Sequence, residues 1–336
     1  MRLLIVVAAA LTAIVGCRSD GGSGSLEMVQ DSVIQVVNPF DSISSLIKDD
    51  PDNPELLHER GKMFIAAGDL SVALGDLGRA IMIDSSRSEL FLTISDIYFK
   101  ANQPAKSMAA LKKAGELAPD DTEVPLRLAE FYLYIQNYTE AVKATNEALK
   151  LDNRNDRAYF LKGFCYKEVG DTIKAVEQYQ KAVENNPDHV DAYVEMAILY
   201  DIKGDPIAEK YYQNALKVNP DSKEALYGLG LHYQDFDRLN EAIITYTSLV
   251  EKYPTYASAY YNMGFINYEF LNDHNQALQY FNDAVVADPE YVSAIYMRGL
   301  CYEALGDVSK AKAEYQFALQ KDGSFQLALN GLERLL

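Results

Sequence analysis

Residues 156–189 read DRAYFLKGFCYKEVGDTIKAVEQYQKAVENNPDH. Small residues stand at Gly163, Ala175 and Ala182, with bulky Tyr166 and Tyr179 beside them. Spacings of three, four and seven put such residues on one face of a helix. Gly170-Asp171 interrupts the run. Glycine takes the left-handed turn that ends one helix, and Asp caps the next. Pro187 closes the stretch, because proline cannot continue a helix and suits the start of another. The segment therefore predicts two antiparallel helices joined by a tight turn.

The pattern recurs in both directions with a period of about 34 residues: 54–87, 88–121, 122–155, 156–189, 190–222, 223–256, 257–291 and 292–325. The eighth place holds Gly61, Ser95, Ala129, Gly163, Ala197, Gly230, Gly264 and Gly299. The second helix carries small residues at Ala73, Ser107, Ala141, Ala175, Ala208, Ala242, Ala277 and Ala311. Between these and a further set ending at Ala318 lie Leu77, Leu111, Thr145, Tyr179, Tyr212, Tyr246, Phe281 and Tyr315. Small side chains let two helices approach closely, and large ones fill the space beside the contact.

This pattern resembles the tetratricopeptide repeat family across 54–325. The resemblance implies an all-α fold, an α-solenoid in which helix pairs stack into a right-handed superhelix around a concave groove. Residues 39–53 match only a second helix and are expected to cap the N-terminal end. Residues 326–336 are expected to form a C-terminal capping helix, since the ends of a solenoid need covering. Three departures stand out. Pro125 occupies a place the family usually gives to an aromatic, so the first turn of that helix is expected to shift. One residue is missing between Gly204 and Ala208, and one is extra near Asn272-Asp273-His274.

Met1-Arg2 precedes a thirteen-residue apolar run, Leu3 to Val15, broken only by Thr12. As a helix it reaches about 20 Å, short of the roughly 30 Å of a bilayer core. That length suits the core of a signal peptide. Ile14-Val15-Gly16-Cys17 resembles the bacterial lipoprotein signal, which implies removal of residues 1–16 and a lipid anchor on Cys17. Residues 17–38 read as a flexible linker, with Gly and Ser enriched over Gly21–Ser25.

Composition excludes several functions. The 336-residue chain is 49% hydrophobic and 24% charged, a globular mix. Its formal charge of −18 argues against a nucleic-acid partner, which needs a basic footprint. Three Cys and four His are scattered, so no metal, cofactor or catalytic set is expected. Cys165 and Cys301 read as buried, inert thiols. The chain is read as a non-enzyme.

Function is then expected on the groove, which in this family is lined by the first helix of each unit. His58, Glu59, Lys62, Glu89, Thr93, Asp96, Glu123, Arg127 and Glu130 predict a polar, mainly acidic wall in the first three units. Later units offer Phe160, Val194, Tyr227, Tyr261 and Tyr296 at the fifth place. Leu231 and Phe265 follow at the ninth, with Asn262 beside Tyr261. These are read as anchors for a peptide or helical segment of a partner protein. The ninth-place residues are equally readable as packing between adjacent first helices. The layout resembles that of bacterial tetratricopeptide lipoproteins, which implies a membrane-tethered scaffold in the cell envelope, at the outer membrane. The alternative is an accessory nutrient- or glycan-capture lipoprotein, because tyrosines stack on sugar rings.

Overall fold

The computed structural model describes residues 38–336. The expected signal peptide, Cys17 and the linker up to residue 37 lie outside the described residues. Among the described residues there are eighteen helices and no strand. α1 (Pro39–Asp49) leads eight pairs. These are α2 (Pro54–Ala67) with α3 (Leu70–Ile83), α4 (Ser88–Lys100) with α5 (Pro104–Leu117), α6 (Glu123–Tyr134) with α7 (Tyr138–Leu151), and α8 (Asp156–Glu168) with α9 (Thr172–Asn185). Then come α10 (Val190–Asp201) with α11 (Ala208–Val218), α12 (Lys223–Asp235) with α13 (Leu239–Lys252), α14 (Ala257–Glu269) with α15 (His274–Ala287), and α16 (Val292–Ala304) with α17 (Val308–Lys321). α18 (Gln326–Arg334) closes the chain. Each helix packs on its partner and on the next in sequence, the one-dimensional stacking of a solenoid.

The inner side of the stack is identified by contacts that skip a helix. The first helices touch one another directly, α2 with α4, α4 with α6, α6 with α8, α10 with α12 and α14 with α16. Neighbours that meet this way lie on the inside of a curve.

Every hairpin turns through one left-handed residue. Gly68, Gly170, Gly204 and Gly306 fill that place as expected, with φ of 66–89°. In the other four units Asn102, Gln136, Asp237 and Asn272 do the same at φ of 53–58°. The short polar side chains of Asn and Asp tolerate this region better than most. The Asp that follows glycine behaves unevenly. Asp171 and Asp307 accept a bond from the amide three residues on, and Asp205 from that of Ile207, whereas Asp69 makes no side-chain cap.

The three departures have local consequences. α6 starts at Glu123 with Thr122 in helical geometry and no side-chain cap, and Pro125 is buried in its first turn. The missing residue shortens α11 to 11 residues, against 14 in α9 and α13. The extra residue lengthens the α14–α15 turn, where Asn272 takes the left-handed place.

The core follows the small–large alternation. Tyr179, Tyr246, Phe281 and Tyr315 are fully buried. Each fills the space above a glycine of its partner helix, Gly163, Gly230, Gly264 and Gly299 respectively. Ala197 replaces that glycine in the fifth unit, and Tyr212 lies instead against Gly228 of the following helix, α12. Fully burying one such ring contributes about 1.5–3 kcal/mol relative to leaving it exposed.

Candidate partner-binding groove

The expected aromatic anchors are half-buried and belong to a repeated three-ring cluster. Phe160 packs on Tyr179 at 5.5 Å and His189 at 4.8 Å. Tyr227 packs on Tyr246 at 6.1 Å and Tyr256 at 5.2 Å. Tyr261 packs on Phe281 at 5.6 Å and Tyr291 at 5.2 Å. Tyr296 packs on Tyr315 at 5.5 Å and Phe325 at 5.7 Å. The third ring, from the last place of each unit, escapes the sequence reading. Its signal is present, since Tyr256, Tyr291 and Phe325 recur at the repeat period.

Val194 departs from the expectation. It is buried in the core with Ala197, Ala208 and Tyr212, and it offers no groove surface. The last place of its unit is Ser222, which caps α12 through Ala225. The ring clusters are therefore interrupted at the fifth unit. The tyrosines are also less open than expected, because each is held between two other rings. Burial pushes the Tyr261 hydroxyl above its usual range, with Glu269 adding to the shift. Asn262 donates to the Tyr246 hydroxyl at 3.1 Å and to that of Tyr227 at 3.4 Å, which ties two units together. Phe265 packs against the cluster of Ala277, Phe281, Met297 and Cys301, and its ring stacks on Tyr261 at 6.4 Å. Leu231 is half-buried.

The wall of the first units is polar as expected, but its acids are largely ion-paired, so it is less acidic than the residues alone suggest. Arg127 reaches Asp96 at 3.2 Å, and Arg157 binds Glu123 at 3.1 Å and Glu130 at 2.5 Å. These pairs link α4, α6 and α8 across the inner side. Burial works against the charge of Arg157, but Glu130 and Glu123 outweigh it and hold its pKa up. Burial pushes the Asp96 carboxyl up, against the pull of Arg127. Further along, Lys167 pairs with Glu195 at 2.8 Å. On the N-terminal side, His58 is buried, with Nε2 2.7 Å from the Thr93 hydroxyl. Burial, with Lys62 adding to it, lowers its pKa.

Two cavities open on this wall. One of about 360 Å³ is lined by Ile65, Phe99, Leu111 and Phe131, with Asp96 and Arg127 at its side. The other, of about 530 Å³, has Phe160 and His189 among its walls together with Asp156, Asp188 and Asp191. Glu130 borders both.

Cys165 and Cys301 are free and buried, and burial raises each thiol to about 12. Among the described residues, no group of three or more His, Cys, Asp or Glu is arranged to hold a metal ion. No described helix is long and apolar enough to cross a membrane.

Comparison with known proteins gives consistent results. The human protein O-mannosyl-transferase TMTC1 is 29% identical over 177 residues, which are 50% of this chain and 20% of that protein. The rat DnaJ homolog subfamily C member 3 is 22% identical over 335 residues, 89% of this chain and 66% of the relative. The chain thus spans between about a fifth and two-thirds of these relatives. Among solved structures, the C-terminal part of a repeat protein from Cytophaga hutchinsonii aligns with a TM-score of 0.60 at 20% identity. That alignment covers 72% of this chain and 99% of the other. Pseudomonas aeruginosa PilF aligns with a TM-score of 0.52 at 18% identity, covering 65% of this chain and 95% of its own. These two structures bear on the fold alone. Family models described as tetratricopeptide repeat match residues 88–121, 156–189, 178–210, 206–257 and 264–329. With the helix pairs and their small–large alternation, those matches place the chain in the tetratricopeptide repeat family, whose members mediate protein–protein interaction.

Proposed function

We propose that this chain is a lipid-tethered scaffold of a bacterial envelope, at the outer membrane, and that it holds segments of partner proteins on the inner wall of its repeat array. The observation that carries the binding half is the pair of cavities on the first helices, beside half-buried rings and ion pairs fixed on rigid elements. The tether rests on the apolar run from Leu3 to Val15 and the Cys17 that follows it. Several acyl chains on one residue, at about 0.8 kcal/mol per buried CH₂, give a stable anchor. The packing of the tyrosines favours a protein ligand over a glycan. Their rings are engaged with one another and form no flat platform for a sugar.

Two experiments test the reading. Cys17→Ser moves the protein from the membrane to the soluble fraction, and continued sedimentation with membranes removes the tether. A photo-crosslinking amino acid at exposed Ile198, on a first helix, captures partner protein. The same group at Ile173, 78% exposed on a second helix, captures none. Adducts from Ile173 alone would place binding on the other face.

A further inference from the structure

The first cavity sits where later units place a ring of their own. In the sixth unit the Tyr246 hydroxyl meets Gln234 of its partner helix and Asn262 of the next unit. In the eighth the Tyr315 hydroxyl meets Glu303, at the place of Gln234. In the second unit the corresponding residues are Leu111 for the tyrosine, Phe99 for Gln234 and Arg127 for Asn262. All three line the cavity. Ser95 and Ser107 add little bulk, so a space that a ring fills elsewhere stays open to the groove. Its walls include two further rings, Phe99 and Phe131, which suit edge-to-face contact. Arg127 Nε is buried there with Glu123 Oε2 3.5 Å away and no closer partner.

The second cavity has different chemistry. Phe160 and His189 lie 4.8 Å apart along one side. Asp156, Asp188 and Asp191 surround them, and none takes part in an ion pair among the described residues; Asn186 donates to Asp156 at 2.7 Å, and Arg157, which also lines the cavity, is engaged by Glu123 and Glu130. Rings together with the exposed carboxylates of Asp188 and Asp191 fit a cationic side chain. The overall charge of −18 attracts a basic partner as well.

We propose that the inner wall reads an extended segment of a partner protein at two points. An aromatic side chain enters the first cavity against Leu111, Phe99 and Phe131. A basic side chain a few residues away is held at Phe160 and His189 among the three aspartates. The shared border at Glu130 sets the short spacing, since extended chain advances about 3.3 Å per residue. This rests on the scaffold reading above and specifies what the scaffold holds.

The test is selection from a random twelve-residue peptide library on the full-length chain, followed by affinity measurement on the enriched peptides. Enrichment of an aromatic and a basic residue at one fixed short spacing is expected. Ser95→Gly with Leu111→Tyr fills the first cavity with the chain's own ring and weakens those peptides at least tenfold. Asp188→Lys with Asp191→Lys does the same through the second. Both variants keep wild-type helicity by circular dichroism. Peptides unaffected by both pairs but crosslinked from Ile198 would leave the scaffold reading standing and overturn the two-point inference. Peptides crosslinked only from Ile173 would overturn both. Enrichment of sequences like Leu26–Val37 would assign the cavities to this chain's own segment and reject a partner there.

Discussion

Gly163 lies so close to the Tyr179 ring that a methyl group at its α-carbon would stand 2.7 Å from both Cδ1 and Cε1, and 3.2 Å from the carbonyl oxygen of Ala175. Two helices of one unit meet at this point with no room to spare. Overpacking of this kind costs about 1–3 kcal/mol. Gly163→Ala is therefore expected to lower stability by that amount in urea unfolding. Gly75, in α3, has nothing within 4 Å of the same position. Gly75→Ala should raise stability by about 0.5–1 kcal/mol, because it removes only backbone freedom. Equal effects from the two variants would contradict the packing described.

The hydroxyls of two equivalent tyrosines make opposite predictions. Tyr179 is fully buried and its hydroxyl has no hydrogen-bond partner, whereas that of Tyr315 donates to Glu303 at 2.6 Å. An unsatisfied buried polar group costs about 1–3 kcal/mol, while a bond to a charged group contributes about 1.5–3. Tyr179→Phe should be neutral or stabilising and Tyr315→Phe destabilising. Thermal unfolding of both variants checks the sign of each change.

His58 gives a pH dependence. Its folded pKa lies below the ordinary value of 6.5, and burial is the main cause. The unfolded chain then binds the proton more readily. The contribution of His58 is fully present above pH 6.5 and is lost as pH falls through the folded value. Stability measured from pH 7 downward should decline over this window in the wild type and less in His58→Gln. Parallel curves would show that His58 is not the source.

Burial should also silence the thiols. With pKa values near 12 in place of 9, Cys165 and Cys301 carry about a thousandfold less thiolate at neutral pH. A disulfide reagent at pH 7.5 is expected to leave both untouched until denaturant is added. Rapid labelling of the native protein would show that they are accessible.

The end cap can be probed by truncation. Gly331 of α18 packs on the Tyr315 ring, and Arg334 binds Glu303 at 2.7 and 2.8 Å. Removing residues 326–336 exposes that ring. Faster amide exchange in α17 is expected, with little change in α8, as nearest-neighbour stacking requires.

The helix pairs were legible in the sequence because their contacts are periodic. A small residue facing a larger one sixteen or seventeen residues on recurs along the array, and in four units the pair is a glycine and a ring. The hairpin turns were half legible. Glycine announces a left-handed residue, but Gln136 and Asp237 adopt the same backbone without a compositional sign. The groove was read less well, because surface chemistry depends on partners from other units. Glu123 and Glu130 have Arg127 within reach on their own helix, but the closer partner, Arg157, comes to both only through the stacking of α8 on α6. Val194 keeps its place in the repeat, yet it is buried with Ala197, Ala208 and Tyr212.

The uniform left-handed turn has a consequence for how such a molecule changes length. Since glycine, asparagine, glutamine and aspartate all supply the left-handed residue of a hairpin, and since each unit packs only on its neighbours, a unit can be gained or lost without rebuilding the rest. Each duplication then moves the far end outward by roughly 10 Å, one helix-packing step. Span is counted in whole units, and it can evolve separately from the side chains that decide what is held.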